Sequence, residues 1–139
     1  MVSCGISPSE EQVKLYNELK INKLHRYLIF GLNKDRNALE TFEVGKREDG
    51  LKELLSQLPN NDCRFVVYDF EYETSENPPR STQKLLLLCW TPDIAPIKVK
   101  VPFTSTKSDI KSNFVGIQKD MQVSDSSQLD FEELRKECL

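Results

Sequence analysis

Apolar positions in this chain recur with two different spacings, and the switches between them divide it into elements. Leu51, Leu54, Leu55 and Leu58 fall at i, i+3, i+4 and i+7, the spacing of a one-faced helix, and Pro59 follows as a stop. Ser7-Pro8-Ser9-Glu10 has the residues of a capping box with proline at the first helical position; this predicts a helix running to about Lys20 with Val13, Tyr16 and Leu19 on its apolar face. Residues 26–32, centred on Tyr27-Leu28-Ile29-Phe30, are β-rich and stop at the Asn33-Lys34-Asp35 turn. Residues 38–44 return with alternating Leu39, Thr41 and Glu43, so the two segments read as a hairpin. Residues 64–73 and 84–90 read as two long strands joined by residues 74–80, which include Pro78-Pro79. In the second of them Leu85-Leu86-Leu87-Leu88 shows no alternation, which implies burial on both sheet faces and a central place between two layers of helix.

The carboxy-terminal third is less uniform. Ile97, Val99, Val101 and Phe103 alternate with Lys98, Lys100 and Pro102, and by periodicity alone residues 97–103 form a strand. A helix is expected after Thr106, with Ser105 or Thr106 as cap, running through Ile110 and Phe114 to Gly116. A short strand follows, with Ile117, Met121 and Val123 on one period-two face. Asp130-Phe131-Glu132-Glu133 then opens a last helix that places Phe131, Leu134 and Cys138 on one side. With no repeat, low-complexity tract or internal linker, residues 1–139 are expected to form a single domain. Its class is an α/β three-layer sandwich, α+β by topology, with a mixed central β-sheet flanked by helices on both faces.

Charge narrows the partner. The net charge of −3 argues against a general nucleic-acid binder, whose phosphate contacts need a basic excess. The charge is nevertheless unevenly spread: residues 98–111 hold Lys98, Lys100, Lys107 and Lys111 against Asp109, while residues 120–139 hold six acids against Arg135 and Lys136. One basic face and an acidic tail suit a protein partner with an acidic surface. No apolar run approaches the length that spans a bilayer and the amino terminus lacks the pattern of a signal peptide, so a cytosolic protein is expected. Cys4, Cys63, Cys89 and Cys138 are scattered without metal-type spacing and read as free thiols, two of them in strands, in a reducing compartment. His25 is the only histidine, and it reads as a surface or structural residue. No glycine-rich phosphate loop, metal cluster or nucleophile–base pair is present, so neither a cofactor nor catalysis is expected. Asp69 and Glu71 lie on one face of a strand, but without a catalytic partner nearby they read as a solvated or turn-bonding acidic face.

One ordered set of short motifs is more specific than any of these. It consists of Leu58-Pro59, Asn61-Asp62-Cys63-Arg64-Phe65, Tyr68-Asp69-Phe70-Glu71-Tyr72, the stretch from Trp90-Thr91-Pro92 through Pro96 to Lys98 and Lys100, Thr104-Ser105-Thr106-Lys107 and Val115-Gly116-Ile117-Gln118. In this order and spacing the set resembles the actin-depolymerising factor (ADF)/cofilin family, from about Gly5 to the last residues. The resemblance implies the ADF-homology fold and a protein that binds actin monomers and filaments and promotes filament turnover. It also implies that residues 97–103 belong to a long bent helix entering the actin cleft, in which Pro102 should make a break or kink. Lys98, Lys100 and Val101 would match its central actin-binding segment, Ser105, Thr106 and Lys107 its small-hydroxyl-lysine turn, and Lys111 a later basic position. The arm Ser3, Cys4, Gly5 and Ile6 would pack on the same actin surface. Ser3 is the candidate for the family's inhibitory phosphorylation, displaced by one residue because Cys4 precedes Gly5.

The resemblance has local departures. Val101, Pro102 and Phe103 stand where the family has methionine, an aliphatic residue and tyrosine, and Ser112 replaces a basic residue. The implied filament-side site would use Arg80, Lys84, Arg135 and Lys136. Yet Thr82 occupies an arginine position, the pair Lys136–Glu137 is reversed in sign, and the chain ends before the usual terminal basic residues. Weak severing and better-preserved monomer binding are therefore expected. The alternative is a non-severing, monomer-sequestering or adaptor protein on the same fold. A monomeric cytoplasmic protein of the cytoskeleton, with acidic phosphoinositides as further ligands of the lysine face, completes these expectations.

Overall fold

The structure, a computed structural model, describes residues 6–138. Its centre is a five-stranded sheet of β1 (His25–Leu32), β2 (Leu39–Lys46), β3 (Arg64–Glu73), β4 (Ser81–Trp90) and β5 (Lys119–Val123), in the order β2-β1-β3-β4-β5. The first four strands pair antiparallel, and β5 joins β4 in parallel, which makes the sheet mixed as expected. β3 is the middle strand; β4 lies beside it, one place in from the edge.

Helices cover both faces. On one lie α1 (Glu10–Lys20) and α3 (Ile97–Asn113), whose Tyr16, Leu19, Val99, Phe103 and Ile110 pack on Phe65, Val67, Leu85 and Leu87. On the other lie α2 (Leu51–Ser56) and α4 (Phe131–Cys138), whose Leu54, Leu134 and Cys138 pack on Val66, Phe70, Leu86 and Leu88. The four consecutive leucines therefore feed two cores alternately, and the three-layer class follows directly from that run. Phe65 and Phe103 stack with centroids 3.9 Å apart and so fix α3 against the middle strand.

Several local expectations are corrected. The cap of α1 is Ser9, not Ser7: Ser9 Oγ accepts from Gln12 N at 3.2 Å and Gln12 Oε1 accepts from Ser9 N at 2.9 Å. Gln12 is also the buried residue at that level, donating to Leu39 O and Thr41 Oγ1, and Val13 is only half-buried. The hairpin between β1 and β2 is present, with Asn33 Oδ1 accepting from Asn37 N and Ala38 N. β4 begins at Ser81, three residues before the expected start, because its pairing with β3 continues to Glu73. Ile117 precedes β5 and packs with the α1/α3 core, whereas Met121 and Val123 serve the opposite one, so the three do not share a face. Cys63, Cys89 and Cys138 are buried and free; burial pushes the thiols of Cys63 and Cys89 up to about 11. Cys63 sits just before β3, and Cys4 lies outside the described residues.

Candidate functional site

α3 is a single helix of 17 residues, so neither the strand over residues 97–103 nor the separate helix after Thr106 exists. It starts after Pro96, whose carbonyl accepts from Val99 N and Lys100 N at 2.9 and 3.1 Å. Burial phases it. Val99, Phe103, Thr106 and Ile110 recur at three and four residues and face the sheet, while Ile97 and Val101 remain 76% and 57% exposed. Two of the four alternating apolar residues thus point away from the core, and packing overrides the apparent period of two. Pro102 lies inside the helix without interrupting it. Its missing N–H removes a donor to the Lys98 carbonyl. The hydroxyls of Thr104, Ser105 and Thr106 bond back to carbonyls of Lys100, Val101 and Pro102 in the same turn.

At 3.6 residues per turn the outward side of α3 has a ridge and two flanks. Ile97, Val101 and Ser108 form the ridge, continued before the helix by Ile94 at 72% exposed. Lys98 and Ser105 lie on one flank; Lys100, Lys107 and Lys111 lie on the other. Lys98 and Lys100, which a strand would place side by side, therefore straddle the ridge. Lys100 Nζ donates to Asp93 O at 3.2 Å. Lys107 and Lys111 both reach Asp120 on β5, at 2.7 and 3.2 Å. The hydrogen bond from Lys107, with that from Lys111 behind it, holds the Asp120 carboxyl below its usual range; the same contact raises the Lys107 ammonium. Two residues expected on this face are not on it. Thr106 is fully buried, with Oγ1 bonded to Pro102 O inside α3 rather than in a turn, and Ile6 belongs to the α1/α3 core. Ser3, Cys4 and Gly5 lie outside the described residues.

Of this exposed ridge, sequence reading assigns Val101 to the site but misses Ile94 and Ile97. The signal was present, because rephasing Ile97 and Val101 from a period of 2 to 3.6 puts both opposite Val99 and Phe103. Beside Ile94 an open groove of about 620 Å³ is lined by Leu55, Trp90, Pro92, Asp93 and Asp125, where α2 and the segment before α4 meet the loop that precedes α3.

The second set of residues lies at the far end of β3 and β4. A groove of about 780 Å³ runs between this hairpin and α4, lined by Tyr72, Thr82, Phe131 and Arg135 among others. Arg135 Nε donates to Glu73 O at 2.8 Å, and Phe131 packs on Phe70 at 5.1 Å, so α4 is fastened to the hairpin. Arg80 is paired with Glu76 and Lys136 with Glu133, at 3.6 and 3.5 Å, both exposed. Lys84 is half-buried on the α4 side of β4. At the base of the hairpin, Asp69 is not part of a solvated acidic face, whereas Glu71 is exposed but ion-paired. Asp69 is fully buried, and its Oδ2 takes Arg47 at 2.7 Å and Lys23 at 3.3 Å. Glu71 takes Arg26 at 2.6 Å and Arg47 at 3.1 Å.

Against known proteins, residues 5–139 match the family model described as Cofilin/tropomyosin-type actin-binding protein. The chain belongs to the ADF/cofilin family. Actophorin of Acanthamoeba castellanii is 36% identical over 125 residues, covering 90% of this chain and 88% of that protein. Cofilin of Kluyveromyces lactis is 32% identical over 132 residues, covering 95% and 91%. Among solved structures, Streptomyces griseoflavus cofilin superposes with a TM-score of 0.85 at 30% identity, over 96% of both chains. The layers and strand order of this ADF/cofilin protein are thus those of the family along nearly its whole length. Among its described residues, no helix is long and apolar enough to cross a membrane, and no three His, Cys, Asp or Glu side chains are grouped to hold a metal.

Proposed function

We propose that this member of the ADF/cofilin family binds actin monomers and filaments through the outward side of α3 and promotes filament depolymerisation, without cofactor or catalytic step. The observation that carries this reading is the exposed apolar ridge Ile94, Ile97 and Val101 bordered by lysines, an apolar centre with a charged rim. Val101 belongs to the apolar centre of the proposed surface, Lys98, Lys100 and Ser105 border it, and Lys107 and Lys111 extend its rim toward β5. The arm Ser3, Cys4 and Gly5 is assigned to the same surface from the family pattern alone, and a phosphate on Ser3 would repel an acidic partner. Acidic phosphoinositides are proposed as secondary ligands of the lysine rim, on a monomeric protein in the cytoplasm.

The test is fluorescence titration of labelled actin monomers together with filament cosedimentation. Lys98→Ala with Lys100→Ala should weaken both by roughly five- to thirtyfold, two rim charges at about 0.5–1 kcal/mol each, and rising salt should weaken the wild type. Wild-type affinity in the double variant would remove α3 from the reading. A second reading, a monomer-sequestering or adaptor protein that does not sever, is favoured by one observation at the filament-side set: Arg80, Arg135 and Lys136 are each occupied by acceptors of this chain. Monomer complexes without any loss of filament mass beyond sequestration would select it.

A further inference from the structure

Two of the four lysines that flank the α3 ridge already hold an acid. Lys107 and Lys111 stand one helical turn apart, and Asp120 offers each a different oxygen, Oδ2 at 2.7 Å and Oδ1 at 3.2 Å. The carboxylate comes from the second residue of β5, the strand that pairs with β4 in parallel, so its position is fixed by the sheet rather than by a loop. The clasp remains open to water: the Lys107, Lys111 and Asp120 side chains are 37%, 44% and 29% exposed. A carboxylate arriving on another molecule therefore meets lysines that can exchange one acid for another. On the same flank Lys100 donates to the backbone carbonyl of Asp93 and, among the described residues, forms no salt bridge. Without Asp120 this flank would present three cations, Lys100, Lys107 and Lys111, over about three turns.

We propose that Asp120 is an intramolecular competitor for the acidic groups of the actin surface and sets how much of the basic flank of α3 is available to bind. This rests on the reading that α3 faces actin. A partner must displace Asp120 to use Lys107 and Lys111, so a weakly acidic surface engages the ridge with Lys98 and Lys100, and only a strongly acidic one gains the whole flank. The residue restrains affinity instead of supplying it.

The experiment is fluorescence titration of monomeric actin with the full chain over a series of salt concentrations, using Asp120→Asn, Lys107→Gln/Lys111→Gln and the triple variant. Asp120→Asn should bind roughly three- to tenfold more tightly, the range expected when two partly exposed pairs are released, with a steeper salt dependence. That gain should vanish in the triple variant, which should bind like the double lysine variant. The double lysine variant should itself lose less affinity than Lys98→Ala/Lys100→Ala, because its charges are already engaged. Unchanged or weaker binding by Asp120→Asn, or a gain that survives removal of both lysines, overturns the proposal. The Lys98→Ala/Lys100→Ala titration separates the two ideas. If it shows no loss, the α3 reading has failed; if it weakens binding while Asp120→Asn gains nothing, only the competitor role has failed.

Discussion

Asp69 is a buried charge held by two cations, and disturbing either partner is costly. It is fully buried, with Oδ2 shared by Arg47 and Lys23 and Oδ1 without a hydrogen-bond partner, so its charge depends on two cations from outside β3. Arg47→Met should therefore destabilise the fold by about 3–5 kcal/mol in urea unfolding, since it strands most of a buried charge; Asp69→Asn combined with Arg47→Met should recover part of that. A loss under about 1 kcal/mol for the single variant would mean that Lys23 alone compensates. Sequence alternation correctly placed Asp69 and Glu71 on one face, but it carried no information about Arg47, which is brought to them from beyond β2. The partly exposed carboxylates make a separate prediction. Glu71, held below 4.5 by its bond from Arg26, and Asp120, held below 3.8 by Lys107, both have depressed folded-state values. Their contribution is complete above these ordinary values and is lost as pH falls through the lower folded ones. Thermal melting should be insensitive to these groups near neutrality and fall on acidification below about pH 4–5, with a shallower fall in Asp120→Asn.

Among elements, α3 diverged most from its sequence signal. Residues 97–103 satisfy the rule for a half-buried strand, and only the stacking of Phe103 on Phe65 and the burial of Val99, Thr106 and Ile110 fix a helical phase. Periodicity cannot weigh contacts with strands formed by a distant part of the chain, whereas the family resemblance had that information and gave the helix. The expected break at Pro102 did not follow: α3 runs unbroken from Ile97 to Asn113, with Val99 and Phe103 packed on the core on either side of the proline. The helix still forgoes a hydrogen bond there. Pro102→Ala should raise unfolding stability by roughly 1–3 kcal/mol and leave the ridge unaltered. A loss of stability would mean that the ring packs more productively than a methyl group. α4 and the hairpin of β3 and β4 make a contrasting pair, joined by Arg135 and Phe131. Arg135→Ala should reduce filament cosedimentation more than monomer affinity, because it frees the hairpin tip without touching α3; equal losses would count against a separate filament-side surface.

The layer order of the whole molecule was largely legible because Leu85 to Leu88 contains both faces of the sheet in four residues, and the helices on either side had clear stops. What could not be read was distribution across the sheet: that the acidic tail sends Asp120 into the basic helix, or that Ile117 and Val123 serve different cores. The same scale governs the balance of activities. With Arg80, Arg135 and Lys136 engaged internally and the α3 ridge exposed, complexes with monomeric actin should form at lower protein concentration than dense filament decoration, as measured by native-gel shift beside cosedimentation. The reverse order would show that the hairpin charges release their internal partners readily. The parallel pairing of β5 with β4 has a consequence for synthesis. β1 to β4 are joined by antiparallel pairings, but α3 is the arm of a crossover whose closing strand begins 29 residues after Trp90, at Lys119. On the ribosome, the face assigned to actin can acquire its second anchor only after Lys119–Val123 has left the exit tunnel. A nascent chain that has emerged from the tunnel only as far as Gly116 would hold four of the five strands and an unclasped helix, making the proposed binding surface one of the last parts of the protein to mature.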